Sequence, residues 1–436
     1  MFRNQMPDEW LASTVQLLSP FIASPSHVVS TYACCAIEKI LLRRGADGLP
    51  IVKKEQLRDI IIPLLENISA LLKKSLNYYA LRALYRIVST AQEEFNVFAL
   101  NFASIVPAYV EMAFAERHNA HSLYILFETL GLIIRNNRGH TNVLDKYEQE
   151  LMPSFEKAFS GNVTEMLGYV FQVFAAFVMA SDCEEVKHSY STLFNSMLQN
   201  EENWKVDMKY LVPSMVRFVC ALCYRFPAYV HSGLQSLMSI YDHVLKNLHL
   251  EDEAMLLLSA LVETMPISDA SVFEILKGAL QSAFQVLSFY KHETRRKIIP
   301  YRFLRSTFHF LAKVSIRHGP EMTQLICDKV QQGMMIGLLN SEIESMRRMN
   351  YPPRDRRKLV IGFTKMLFAG VIEPQSELGF KCIANLIDLL TGRGGGYIQL
   401  LDDQGGDEEF QDDARSLNRI QFQPLHSCYI DVRSVS

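Results

Sequence analysis

The sequence has no strong excess of charge of either sign and no long hydrophobic run. It carries 44 basic and 47 acidic side chains, a net −3 over 436 residues. No global field favours nucleic acid, and none is expected as a partner. The longest nearly apolar run, Gly168 to Ala180, has 13 residues and contains Gln172. A bilayer-spanning helix needs about 20, so no membrane partner is expected either. The opening MFRNQMPDEW is polar and acidic within ten residues and does not read as a signal or transit peptide. Cysteine is sparse: eight residues, at 34, 35, 183, 220, 223, 327, 382 and 428. Mostly apolar-flanked thiols at this density fit a reducing compartment rather than a disulfide framework, and the chain reads as intracellular. No stretch combines sustained period-two alternation with hairpin turn signals, so a sheet is not expected.

What the sequence does have is apolar side chains, 49% of the total, arranged at helical spacing. Residues 151–178 read LMPSFEKAFSGNVTEMLGYVFQVFAAFV. Leu151, Met152, Phe155, Ala158 and Phe159 step by three and four, as do Val163, Met166, Leu167, Val170, Phe171, Phe174, Phe177 and Val178, which places each set on one helix face. Ser160-Gly161-Asn162 supplies a stop and a following N-cap, and Pro153 suits a first turn, where its missing N–H costs nothing. Two helices cannot cover both stripes, so neighbours must. Leu81, Leu84, Tyr85 and Val88 repeat the pattern, and so do Leu123, Leu126, Phe127, Leu130 and Ile134.

Aliphatic–proline pairs recur at Ile62-Pro63, Val106-Pro107, Met152-Pro153, Val212-Pro213 and Ile299-Pro300, with the prolines 44, 46, 60 and 87 residues apart. An imperfect period near 45 with two helices per period predicts an all-α fold, an α-solenoid of HEAT-type antiparallel helix pairs, over residues 1–391. The gap of 60 suggests an insertion near Gln199–Asn203. An irregular bundle is the alternative, but single cores stop growing at roughly 250–300 residues, which this chain exceeds.

Two regions break the texture. Residues 340–358, NSEIESMRRMNYPPRDRRK, hold Pro352-Pro353 and the basic side chains Arg347, Arg348, Arg354, Arg356, Arg357 and Lys358. The di-proline predicts a loop. Its plain reading is a solvated connection; its sharper one is a contact for an acidic partner or a nuclear localisation patch. Tyr351 alone is no stacking platform for single-stranded nucleic acid. Residues 392–415 are Gly-rich and then acidic, with Asp402, Asp403, Asp407, Glu408 and Glu409 as further candidate contacts, and are expected to be a solvated insert. Residues 416–436 regain apolar content and are expected to form a short terminal helical or irregular tail.

No chemistry-bearing motif stands up. Cys220-Ala221-Leu222-Cys223 lacks a second pair or a βαβ context and sits in a helical run, so core thiols are expected. His118 and His121 have no third ligand at a credible spacing and read as surface or capping residues. Gly392–Gly396 lacks the Lys-Ser/Thr of a phosphate loop, and the acidic run lacks the ligand alternation of a calcium loop. No nucleophile–base or carboxylate pair has catalytic context. The expectation is a non-enzyme without cofactor or metal.

Several segments resemble, in order, the C-terminal half of the importin-α re-exporters, the CAS exportins of the importin-β superfamily: FRNQMPDEWLAS (2–13), HVVSTYACCAIEKILL (27–42), HNAHSLYILFETLGLIIR (118–135), MPSFEKAFSGNVTEMLGYVFQVF (152–174), NWKVDMKYLVPSMVRFVCAL (203–222) and KLVIGFTKML (358–367). The resemblance implies a HEAT-repeat receptor that binds importin-α together with GTP-bound Ran, meets nuclear pore proteins, and shuttles between nucleus and cytoplasm. Family members are much longer, and the N-terminal repeats that carry their principal Ran contact have no counterpart in this sequence. The chain is therefore expected to be a fragment or a divergent relative. Repeat patterning by itself also fits a general scaffold or regulatory subunit of another complex.

Overall fold

A computed structural model describes residues 6–45, 49–115, 120–161, 164–199, 210–247, 249–294, 298–349, 351 and 353–391. Helices fill these residues from Asp8–Trp10 to Glu377–Thr391, and the β-type pairing among them is an isolated bridge between Arg44 and Pro50. They form two compact units, divided between Cys183 and Glu184.

In the first unit, four helices lie side by side in chain order: His27–Leu41, Tyr78–Ala91, Ala120–Asn136 and Thr164–Ala180. A second row backs them, made of Leu11–Ile22, Ile61–Leu72, the broken pair Asn96–Ala103 and Val106–Ala115, and Thr141–Ser160. The reason is compositional. Tyr78–Ala91 buries Leu81, Leu84, Ile87 and Val88 and also Ala80, Ala83 and Ala91, more than one stripe, so it needs neighbours on several sides. Its start is fixed by Asn77, whose side-chain oxygen accepts from the Tyr79 and Ala80 amides at 2.9 and 3.1 Å, an N-cap arrangement.

The aromatic stretch 151–178 is the joint between the rows. Phe155 meets Phe174 edge-on at 5.5 Å, and Phe159 meets Phe171 edge-on at 5.6 Å. Phe155, Phe171, Phe174 and Phe177 are buried. Burying each is worth roughly 1.5–3 kcal/mol.

The second unit repeats the plan. Its front row is Val212–Arg225, Glu251–Thr264, Tyr301–His318 and Pro353–Phe368; its back row holds His188–Gln199, Leu234–Lys246, Ala270–His292, Pro320–Val330, Met334–Glu342 and Glu377–Thr391. The helices of Ala312 and Gly362 cross closely enough that a Cβ on Gly362 would lie 2.5 Å from the Ala312 Cα. Ser315 Oγ donates to the Gly362 carbonyl at 3.1 Å across the same crossing.

The proline period marks helix starts at four of its five positions: Pro63, Pro107 and Pro213 stand in first turns, and Pro300 precedes Tyr301. Pro153 departs from the expectation. It lies inside Thr141–Ser160, because the stripe Val143, Leu144, Tyr147 and Leu151 starts the helix ten residues before the point expected from Leu151. Pro153 faces solvent there, where the carbonyl left without a partner can turn to water. The 60-residue gap also has a simple origin. Pro153 belongs to a back-row helix and Pro213 to a front-row one, so the series changes rows; Asn200–Asn203 lie outside the described residues.

Candidate functional site

The front rows carry polar groups that a packed interior would normally reject. In the first unit Glu38 and Arg82 occupy adjacent helices with side chains 4% and 10% exposed, and Arg82 donates to Glu38 Oε1 from Nη2 at 2.7 Å and Nε at 3.1 Å. Burial works against the charge on Arg82, but the Glu38 bond and charge win, and its pKa moves up. On the next two helices Gln172 Nε2 donates to Glu128 Oε1 at 3.4 Å. Glu38, Arg82, Glu128 and Gln172 follow one another at 44, 46 and 44 residues, one position per repeat.

The second unit carries the same ladder with a different cast. Lys313 Nζ lies 2.8 Å from Glu263 Oε1, and the Tyr224 hydroxyl donates to Glu263 Oε2 at 2.9 Å. Burial alone would raise the Glu263 pKa; the Lys313 charge and hydrogen bond, Lys358 and Tyr224 outweigh it, so it stays below the usual carboxylate value. Beside it His309 Nε2 stands 3.3 Å from Asp355 Oδ1. Burial pushes the imidazole down to about 4, Lys313 and Lys358 push the same way, and Asp355 opposes them. His309 is therefore neutral at neutral pH, and its contact with Asp355 is polar rather than ionic. Glu253, one helix away, is driven up to about 7 by burial despite the nearby Arg217.

These groups clamp helices to helices. Removing one member of a buried pair leaves an uncompensated charge, so the ladders resist any slip in register between repeats. They do not resemble catalytic machinery. Burial drives the Cys220 thiol up to about 12 and raises Cys223 well above its ordinary value, which leaves both protonated and inert within Val212–Arg225, as core thiols. His121 is exposed and meets Tyr78 edge-on at 5.7 Å; His118 lies outside the described residues. A hollow in the second unit is lined mainly by Val262, Phe273, Leu276, Phe310 and Ile326, and its polar lining residue, Lys277, pairs with Glu274.

The segment expected as a basic loop is mostly helical. Ile343–Arg348 form a 3₁₀ turn, and Pro353 opens the helix Pro353–Phe368, since proline suits a first turn. This places Arg354, Arg356, Arg357 and Lys358 on the early turns of a front-row helix. Lys358 must be corrected outright: it is 2% exposed and acts on Glu263, His309 and Asp355, so it belongs to the ladder and not to a surface contact. Arg356 Nε donates to the Tyr351 carbonyl at 2.8 Å, and the Arg347 amide donates to Asn385 Oδ1 at 3.2 Å. The Arg347 side chain is exposed, and those of Arg356 and Arg357 are half-buried; the side chains of Arg348 and Arg354 lie outside the described residues. So do Asp402, Asp403, Asp407, Glu408 and Glu409, together with the Gly392–Gly396 run.

The ladder was readable in principle and was missed. Its signal is a charged or amide side chain inside an otherwise apolar helix face, recurring at the repeat length. Such a residue looks in isolation like part of a solvated face.

The comparisons agree with this architecture. Exportin-2 of Pagrus major is 24% identical over 375 residues, covering 84% of this chain and 37% of that protein. The human protein of the same name is 24% identical over 376 residues with the same coverage. This chain thus spans little more than a third of the length of these relatives. Among solved structures, the exportin Cse1 in its cargo-free, cytoplasmic state superposes with a TM-score of 0.66 at 19% identity, over 94% of this chain and 42% of that one, a likeness of fold. The family model for the C-terminus of CAS/CSE proteins matches residues 38–394. That span takes in every rung of both polar ladders, and on it the chain belongs to the CAS/CSE family.

Proposed function

We propose that the chain serves as a nuclear export receptor, or the C-terminal portion of one, which carries importin-α to the cytoplasm in complex with Ran-GTP. The observation that carries this reading is the family match across residues 38–394. The receptor shuttles between nucleus and cytoplasm and meets nuclear pore proteins on the way. It catalyses nothing itself; hydrolysis of GTP belongs to Ran. The two ligands act as a coupled pair, each favouring the conformation the other binds, and such coupling typically changes affinity about 5–150-fold. Arg347, Arg348, Arg354, Arg356 and Arg357 are candidate contacts for an acidic partner surface, and Asp402, Asp403, Asp407, Glu408 and Glu409 for a basic one.

The test is retention of importin-α on the immobilised chain, with and without GTP-locked Ran, and with the N-terminal repeats of an exportin-2 relative supplied in trans. Retention that rises with GTP-locked Ran is expected. No retention under any of these conditions overturns the reading. A general scaffold is the second reading, favoured by the two-row repeat architecture, which many unrelated scaffolds share; stoichiometric co-purification of a kinase or phosphatase without importin-α would select it.

A further inference from the structure

Residues 10–37 carry no Asp, Glu, Lys or Arg. At the chain's 21% of charged residues, about six would fall in a stretch of that length. The stretch holds Leu11–Ile22 and most of His27–Leu41, and it is not simply core: Trp10, Leu17, Phe21, Val29 and Tyr32 are 39–72% exposed. By contrast Thr141–Ser160, a back-row helix, places six charged side chains among its 20 residues, as a helix with a face in water normally does. The five exposed residues share one side of the helix pair. Asn67 Nδ2, on Ile61–Leu72, donates to the Ser19 carbonyl and hydroxyl at 3.1 and 3.3 Å, and Leu17 and Phe21 stand about 200° round the helix from Ser19. Glu38 is held by Arg82 of Tyr78–Ala91, and Val29 and Tyr32 stand about 180° and 120° round from Glu38. Both sets face away from the next helix pair, on the outer end of the first unit.

We propose that this face is the contact between two copies of the chain, related by a twofold axis. Its make-up is that of a homodimer core, where aromatic residues are enriched and charged ones depleted. A twofold axis sets a face against itself, so a face with net charge repels its own copy. This one has no charge to repel, and of the two acids just before it, Asp8 is paired with Arg43 at 2.9 Å. The exposed apolar residues Phe380 and Ile387 on Glu377–Thr391 lack that property. Glu373, Glu377 and Asp388 against Lys381, three acidic and one basic, leave residues 373–391 at net −2. A head-to-tail contact between the two apolar faces would not close on itself and would give open chains of copies.

The area also suits a second copy. An aromatic side chain buries about 150–250 Å² and an aliphatic one about 60–120 Å². At their observed exposures the five side chains offer roughly 400–500 Å² per copy, or about 800–1,000 Å² across a pair. Val28, Ser13, Gln16 and Pro20, all exposed at the rim, take the contact past the roughly 1,000 Å² that a specific interface needs. Soluble monomers rarely expose a contiguous apolar patch above a few hundred Å². The face precedes residue 38, where the family match begins, so the dimer and the export reading rest on different residues.

Sedimentation velocity of the full chain between about 0.1 and 50 μM tests the proposal. The mass is expected to rise with concentration from one copy to two and no further. Leu17→Asp/Tyr32→Asp sets like charges against each other across the axis and should weaken the dimer at least about a hundredfold. Tyr32→Ser, which adds no charge, should weaken it about tenfold. Leu17 and Tyr32 are 71% and 72% exposed, so these substitutions should leave the helical circular dichroism unchanged. Phe380→Asp, on the other apolar face, should leave the dimer intact. A chain that stays single at the highest concentration overturns the proposal; if it then takes up the N-terminal repeats of an exportin-2 relative and Leu17→Asp blocks this, the occupant is a further repeat. A dimer that survives Leu17→Asp/Tyr32→Asp also overturns it, as does growth past two copies that Phe380→Asp stops, which is the head-to-tail contact. No importin-α or Ran enters the measurement, so this proposal and the export reading fail separately.

Discussion

Lys313 Nζ sits 2.8 Å from Glu263 Oε1 with both side chains almost wholly buried, joining two front-row helices 50 residues apart in sequence. Tyr224 approaches the same carboxylate from the helix on the other side. Three successive repeats are thus tied through one Glu263 side chain.

Lys313→Met should cost about 3–5 kcal/mol, because it strands the Glu263 charge in the interior. Glu263→Leu/Lys313→Met should be less damaging than Lys313→Met alone, since it removes both charges together. Chemical unfolding followed by circular dichroism reads this. A single substitution within about 1 kcal/mol of the parent would show that the pair is not a clamp.

The Ala312–Gly362 crossing gives a steric prediction. Gly362→Ala puts a methyl 2.5 Å from the Ala312 Cα and 2.6 Å from its carbonyl oxygen. Both obstacles include backbone, so the helices must separate, at a cost of about 1–3 kcal/mol or more. Gly131→Ala in Ala120–Asn136 is the control: nothing lies within 4 Å of its added methyl, and the helix should gain up to about 1 kcal/mol. Opposite shifts in melting temperature are expected from these two substitutions.

Glu253 gives a pH dependence of defined sign. Its folded pKa of about 7 stands above its ordinary 4.5. Between those values the folded chain keeps a proton that the unfolded chain has lost, so stability falls as pH rises through the window. Glu253→Gln should remove this loss, with a gain at pH 8 of roughly 1–3 kcal/mol after allowance for partial exposure and little gain near pH 4.5. His309 works the other way. Its folded pKa of about 4 lies below its ordinary 6.5, so the unfolded chain gains the proton first and stability falls as pH drops from about 6.5 towards 4. His309→Gln should flatten that acid limb. Melting temperatures between pH 4 and 8 separate the two slopes, and an unaltered profile in Glu253→Gln would refute the first.

Phe174 touches both Phe155 and Phe159, the latter in a stacked arrangement at 6.3 Å. Phe174→Ala should cost about 3–5 kcal/mol through the cavity it leaves. Hydrogen exchange should show the loss concentrated in Thr141–Ser160 and Thr164–Ala180; uniform loosening of the first unit would mean that the aromatic joint is not local.

The elements were legible in the sequence because each rests on local physics. Apolar spacing set the helix faces, prolines marked four helix starts, and the run around Cys220 and Cys223 announced a buried helix. Pro153 misled because a solvent-facing proline can sit inside a helix whose buried stripe continues past it. The basic segment was legible in composition but not in placement: Lys358 and Arg357 are neighbours in sequence, and a 100° turn of helix sends one into the core and leaves the other half-buried. Which charges meet was settled only by the tertiary structure. Glu38 finds Arg82 44 residues away, and Glu263 finds Lys313 50 away, through the stacking of whole repeats, and nothing adjacent to any of the four in the chain encodes the partner.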